Sequence, residues 1–503
     1  MKNKENALLV KNALVVAVGG FLAKLLGAVY RIPLGNLLGG YGLGLYQMVF
    51  PVYAMLLTLS GASVPSALSK LIAESGEEEG EKLLIATKGL RLFGGVFSLA
   101  VALFSLPLAR LQGNKNASYA YLFLSPSIFF VTAFSVYRGY FQGKGNMLPT
   151  VLSQIVEQTA KLLFGLLFAS ALLPNIPLAA GGACLGVTVS ELLAYFYLYA
   201  KYRKGKPQNK ISFVEGEKRA LFKRVVKQVF PMTLIGILPP LTGVIIGFFT
   251  IPLLSRTTPF ATRQYGLFFG GVTAVTAMPV ALCYGIAVAL IPLISKRQKS
   301  EESGNSFPKG KRAESTAYLY TLLLALPATV ATYLFRREII AVLFPALTAG
   351  ERVLGAQLLG VSSISIFMLS VGQTASAVLI GSGRAVRSAK NYAIGCAVNL
   401  ILSFLLLYLG YGIISLAISG IFGDSIATFL NLLYTRKANE HAKEKFLIFP
   451  LIAFTLLAGI LGRKAGVGGP LLRIFSGGGI MLTVYLIGLG VALYFVRIRK
   501  RRL

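Results

Sequence analysis

Fourteen apolar runs of helix length follow one another along this chain, at roughly 12-34, 42-70, 92-109, 117-138, 148-173, 178-200, 225-254, 264-295, 316-336, 353-381, 391-410, 412-434, 446-462 and 475-496. A run of about 20 apolar residues is long enough to cross the hydrocarbon layer of a bilayer as a helix. The composition agrees, because 503 residues that are 55% hydrophobic and 14% charged, with a mean hydropathy of +0.70, hold more apolar surface than a soluble core needs. The chain reads as an all-α polytopic membrane protein with about fourteen transmembrane helices. The amino-terminal run carries Lys24 and continues without an A-x-A cleavage site, so it reads as a retained first span rather than a signal peptide.

A net charge of +32 invites a nucleic-acid reading, which the placement of the charges opposes. With the N-terminus inside, 37 of the 50 Lys and Arg fall in cytoplasmic segments, against 10 outside and 3 within spans. The positive-inside rule then places both termini in the cytoplasm. The dense clusters KYRKGKPQNK, SKRQKSEESGNSFPKGKR and RIRKRRL lie on that face and lack interleaved aromatics, so they read as topogenic charges facing anionic membrane lipids, with no nucleic-acid partner. Cys184, Cys283 and Cys396 fall within spans, which suggests neither a disulfide framework nor a metal cluster, and no cofactor is expected. His441, the single histidine, sits in a cytoplasmic loop, so a transmembrane histidine relay is excluded.

The chain also repeats itself. Arg31-IPL followed by Tyr41-GLGLY returns as Thr250-IPL followed by Tyr265-GLFFG, and Leu68-Ser69-Lys70 returns as Ile294-Ser295-Lys296. The Gly143/Gly145 turn is matched by Gly381/Gly383, and the sixth and twelfth spans each carry one acid, Glu191 and Asp424, followed three positions later by Ala. An even number of spans separates the copies, so they have the same membrane orientation, as in transporters built from parallel repeats around a central substrate site. The expected domains are a six-helix bundle over 1-200, a basic hinge over 201-222, a second six-helix bundle over 223-436, and two additional spans with a basic tail over 437-503.

Charged residues inside spans are the candidate binding groups. Lys24 and Arg31 are seven residues apart on one helical face, and a cation at such a depth costs on the order of 3 kcal/mol unless it faces water or protein. Arg31, nearer the helix end, could also snorkel to a headgroup region. Glu157 and Lys161 have the acid-first i,i+4 spacing of an intrahelical ion pair, which leaves open whether they neutralise each other or line a cavity. Glu191 and Asp424 have no cation nearby in their spans and are candidates for cation coupling or for interhelical bonds. Prolines such as Pro51, Pro65, Pro231 and Pro327 interrupt apolar helices, as either hinges or fixed kinks. No Walker loop, zinc-ligand cluster or nucleophile elbow appears, and the exterior loops are short and nearly free of acids, so catalysis has little support.

KLLGAVYRIPLGNLLGGYGLGLYQMVFPVYAMLLTLS and YRGYFQGKGNMLPTVLSQIVEQTAKLLFG resemble the stage V sporulation protein B group of bacterial polysaccharide exporters, in the superfamily that includes the lipid II flippases and MATE drug exporters. The resemblance implies a V-shaped pair of six-helix bundles and a groove for a polyprenyl tail in the last two spans. It implies a non-enzymatic flippase that carries an undecaprenyl-pyrophosphate-linked oligosaccharide to the outer leaflet by alternating access, with the peptidoglycan precursor lipid II as leading candidate. Other lipid-linked polysaccharide units, or a drug/cation antiport, are the alternatives, and cell-wall synthesis machinery is an expected further partner. Lys24 matches a basic position of the family's first helix, and an anionic pyrophosphate suits the headgroup set Lys24, Arg31, Glu157 and Lys161. The chain departs from the lipid II flippase pattern in the second span, which offers Thr58 where a further arginine is expected, and in the seventh, which has no acid. Asn399 alone resembles part of their sodium site, so the coupling ion stays open. Shifting by the 219 residues that superpose the two IPL motifs sets Gly243 opposite Lys24 and Thr250 opposite Arg31, which concentrates headgroup capture on the first bundle.

Overall fold

The computed structural model describes residues 2-205, 212-285, 294, 308-436 and 442-502, and at 2-18, 21, 24, 235, 308-313, 436, 442-450 and 491-502 only the course of the backbone. Every regular element among the described residues is helical. Eleven helices are long and apolar enough to cross a membrane, or twelve when the bent pair Glu217–Leu234 and Leu238–Leu254 counts as one span. The protein is a multi-pass membrane protein. The sequence reads fourteen spans because 12-34 and 42-70 are separate runs, whereas the structure joins them in one helical stretch, Leu25–Ala73. The thirteenth run, 446-462, begins among residues whose side chains are not described.

The first helix, α1 (Lys2–Met48), shows how the first two spans connect. Gly39 sits at φ +64, a left-handed conformation that only glycine adopts cheaply, and it breaks α1 between the two apolar runs. The second span then continues through α2 (Phe50–Leu57), a π-helical turn (Thr58–Ala62) and α3 (Val64–Ala73). Next come α4 (Glu77–Thr87), α5 (Arg91–Leu103), α6 (Ser105–Leu111), α7 (Ser118–Gly143), α8 (Leu148–Ala171), α9 (Ile176–Lys204), α10 (Glu217–Gly236) and α11 (Leu238–Leu254). Helix α12 covers Ala261–Gly285 with a second π-helical turn at Leu267–Val272. The two π-helical turns thus fall in the second and eighth spans, which the repeat pairs.

The chain packs as two compact units, Met1–Gly270 and Gly271–Leu503. In the first, α8 packs along α9, and α1 crosses both. Small residues permit this: a Cβ on Gly186 would run into the backbone of Gly165, and one on Gly165 would run into Tyr30. Helices α10 and α11, which the repeat assigns to the second half, pack in the first unit against α3, α4 and α2. Ion pairs hold the start of α10 to α4, with Lys82 Nζ 2.9 Å from Glu217 and Arg224 Nη1 2.6 Å from Glu79. Beneath them Leu68, Leu83, Phe134, Tyr137, Leu198 and Val225 form one apolar core.

The second unit contains α13 (Pro308–Leu334), α14 (Arg336–Leu343), α15 (Ala349–Gly381), α16 (Ala385–Tyr408), α17 (Ile414–Arg436), α18 (Ala442–Ala465) and α19 (Pro470–Arg502). Thr348 and Glu351 start α15 with a capping box, which satisfies N–H groups that the first helical turn leaves open. Polar pairs join the spans: Thr321 with Thr374 at 2.7 Å, Asn391 with Asn431 at 2.9 Å, and Ser403 with Ser419 at 2.6 Å. The last two spans, outside the repeat, pack on α13 and α14 through Phe335, Leu451, Met481 and Tyr485. The buried Glu338 of α14 receives Arg463 at 2.6 Å and lies 3.9 Å from Arg473, so one carboxylate ties both arms of that hairpin.

Candidate functional site

Inside the first unit, α1, α2, α7, α8 and α9 bring five charged side chains into one polar strip. Its backbone is the face of α8 that carries Ser153, Glu157 and Lys161, at i, i+4 and i+8, about 12 Å from end to end. Arg138 of α7 occupies one end. Its Nη2 donates to Glu157 at 2.9 Å, its Nε donates to Ser153 Oγ at 3.0 Å, and its guanidinium lies 4.1 Å from the Phe134 ring centre. Gln158 Nε2 donates to the other oxygen of Glu157 at 2.9 Å. This corrects the intrahelical pairing that the spacing of Glu157 and Lys161 suggests: Glu157 is neutralised across helices by Arg138. A planar guanidinium supplies two directed N–H groups to Glu157 and Ser153 together, which an ammonium on the same helix cannot match.

Lys161 is thereby released. Its ammonium stands over the rings of Tyr30 and Phe50, at 5.4 and 5.5 Å, and no described carboxylate lies within ion-pair distance of it. Arg31, Glu157 and Glu191 are its charged neighbours. Arg31, half-buried on α1, has one long hydrogen bond, from Nη1 to the Phe269 carbonyl at 3.5 Å. Gln47 Nε2 donates to the same carbonyl at 3.1 Å. That carbonyl lies in the π-helical turn of α12, where the regular i to i−4 ladder is interrupted. Arg31 also makes no ion pair with a described carboxylate. Among the described residues, two cations without a carboxylate partner therefore share one site with an acid already paired to a third cation.

The side chain of Lys24 lies outside the described residues. Its helix position is described, seven residues before Arg31, and Gly27 between them faces α8: a Cβ there would meet Gln158 Oε1 at 2.9 Å. Glu191 of α9 is buried and receives the Tyr53 hydroxyl at 3.3 Å, while its Oε2 has no partner. A chain of rings, Tyr30, Tyr46, Phe50 and Tyr53, runs from the cation end toward Glu191. The structure thus brings Arg31, Glu157, Lys161 and Glu191 together.

Asp424 and Asn399 belong to the second unit and are not part of this strip. Asn399 Oδ1 accepts from Ser403, whose hydroxyl also bonds Ser419, so this oxygen serves the seam between α16 and α17. Asp424 is half-buried on α17 and makes no ion pair among the described residues. Arg138 and Tyr53 are the members that sequence reasoning misses. Arg138 ends an apolar run and counts there as a topogenic charge, and its FSVYRGY setting carries no marker of the acid it meets on the next helix.

The matching of residues 9-298 decides the family: they match that of the polysaccharide biosynthesis proteins, over more than half the chain. The chain belongs to that family. It is 30% identical over 308 residues to stage V sporulation protein B of Bacillus subtilis (strain 168), a match that spans 58% of this chain and 59% of that one. It is 24% identical over 422 residues to the lipid II flippase MurJ of the same organism, covering 78% of this chain and 76% of the relative. Among solved structures, an inward closed conformation of lipid II flippase MurJ superposes with a TM-score of 0.74 at 16% identity, covering 94% of this chain and 97% of the other. The all-helical, multi-span fold that the sequence resemblance implies, of the kind found in that flippase, is the fold observed.

Proposed function

We propose that this family member is a flippase that moves an undecaprenyl-pyrophosphate-linked oligosaccharide, with lipid II as the leading candidate, from the inner to the outer leaflet by alternating access. The observation that carries this reading is the pair Arg31 and Lys161, brought together from α1 and α8 without a described counter-ion. A pyrophosphate needs positive partners in a low-dielectric cavity, and forked guanidinium and ammonium donors supply charge-assisted hydrogen bonds there. The Arg138–Glu157 pair beside them can exchange partners with the phosphate as the lipid passes. Both termini are cytoplasmic on this reading, the reaction forms no covalent bond, and no cofactor is needed.

A drug/cation antiporter would place free acids in an apolar cavity. Here Glu157 is paired to Arg138, and the three cations Arg31, Arg138 and Lys161 outnumber the two acids of the strip, which favours an anionic cargo. A second lipid-linked polysaccharide unit is the alternative that the family membership favours. Depletion of the protein, followed by identification of the undecaprenyl-linked intermediate retained on the inner leaflet, separates the two. Accumulation of lipid II supports the first, accumulation of another linked sugar supports the second, and a membrane in which no such lipid accumulates counts against both.

A further inference from the structure

The second unit carries another cationic site, at the turn between α15 and α16. Gly383, at φ +71, turns the chain out of α15 and into α16, and three cations follow at every third position: Arg384, Arg387 and Lys390. Steps of three residues keep them on one broad helical face, about 4.5 Å apart along the axis. Together with Val386 and Tyr434 of α17 they line a cavity of about 520 Å³, a volume within the range of small-molecule sites. Tyr434 organises it: Arg384 Nη1 lies 3.5 Å from its carbonyl oxygen and the Arg387 guanidinium stands 4.3 Å from its ring centre. No described carboxylate pairs with any of the three. Between residues 382 and 436 the sole acid is Asp424, ten positions before Tyr434 and so about 15 Å back along α17.

We propose that this cavity binds the phosphate group of an anionic membrane lipid. Val386 and the Tyr434 ring distinguish a lipid from a soluble anion. Val386, which lines the cavity, is 60% exposed, beside an aromatic ring and cations at the ends of two spans, where a headgroup meets its acyl chains. By the distribution of Lys and Arg this end of the second unit faces the inner leaflet, whose anionic lipids attract such clusters. Topogenic charge alone requires no cavity and no ring beneath an arginine.

The test uses the purified full-length protein in nanodiscs of phosphatidylcholine, with and without phosphatidylglycerol, and reads retained lipid by native mass spectrometry alongside the melting temperature. Wild type is expected to retain phosphatidylglycerol and to melt higher in its presence. Each of R384Q, R387Q and K390Q is expected to lose about fivefold in retention at low salt, and the triple variant on the order of a hundredfold. Their melting temperatures in phosphatidylcholine alone are expected to match wild type, which separates lost binding from lost folding. Equal phosphatidylglycerol retention by the triple variant overturns the site. Protection by inorganic phosphate in phosphatidylcholine discs, equal to that by phosphatidylglycerol, overturns the lipid assignment.

Discussion

Replacing Lys161 by Gln tests the binding role apart from any structural one. The ammonium has no described carboxylate partner and lies over Tyr30 and Phe50 at 5.4 and 5.5 Å. Its cation–π contacts contribute about 0.5–2 kcal/mol, offset by the cost of keeping an unpaired charge away from water. The variant should therefore fold with a stability within about 1 kcal/mol of the parent. A hydrogen bond from a charged donor to phosphate contributes about 1.5–3 kcal/mol, so affinity for a pyrophosphate-linked lipid should fall by roughly 10- to 150-fold. The assay is equilibrium binding of a labelled undecaprenyl-pyrophosphate sugar to purified protein, with a lipid of neutral headgroup as control and a melting curve in parallel. Unchanged affinity would refute the reasoning, as would an equal loss for the neutral lipid. A structural role for Lys161 would instead appear as a lower melting temperature with affinity retained.

Two further substitutions probe the frame around the site. Glu338→Gln removes the carboxylate that ties Arg463 and Arg473, and should cost about 1–3 kcal/mol, seen as a lower melting temperature and faster proteolysis in the turn between α18 and α19. Headgroup affinity should be unaffected, since the strip lies in the other unit. Gly165→Val would push a side chain into Tyr30 of α1, with a loss of at least 1–3 kcal/mol and poor recovery of folded protein. Gly20→Ala, with open space around it, should change stability by about 1 kcal/mol at most, and a loss there equal to that of Gly165→Val would show that the close approach of Tyr30 to Gly165 is not what sets the cost.

The spans were legible because a membrane helix declares itself locally: twenty apolar residues carry the signal whatever they pack against. Breaks within helices were less so. Gly39 stands in LLGGYGLG among three other glycines, and nothing in that string says which one takes the left-handed conformation. The site divided along the same line. Lys24, Arg31, Glu157, Lys161 and Glu191 were visible as charges in apolar runs, but their partners were not. The i,i+4 spacing of Glu157 and Lys161 suggested a local pair, while the actual partner, Arg138, lies 19 residues away on the preceding helix. Likewise the π-helical turn that offers its carbonyl to Arg31 is 238 residues distant. Pairings across helices depend on which faces meet, and that is fixed by close approaches such as Gly165 on Gly186 rather than by the spacing of charges.

The central claim is that unpaired cations of the first unit carry an anionic lipid headgroup across the membrane. Its most direct test is transport by purified protein in liposomes that hold a labelled undecaprenyl-pyrophosphate sugar in the donor leaflet, read by a membrane-impermeant probe of the opposite leaflet. Wild type should expose the label, and R31Q/K161Q, folded and inserted to the same extent, should expose no more than protein-free liposomes. Equal exposure by wild type and the double variant would contradict the account.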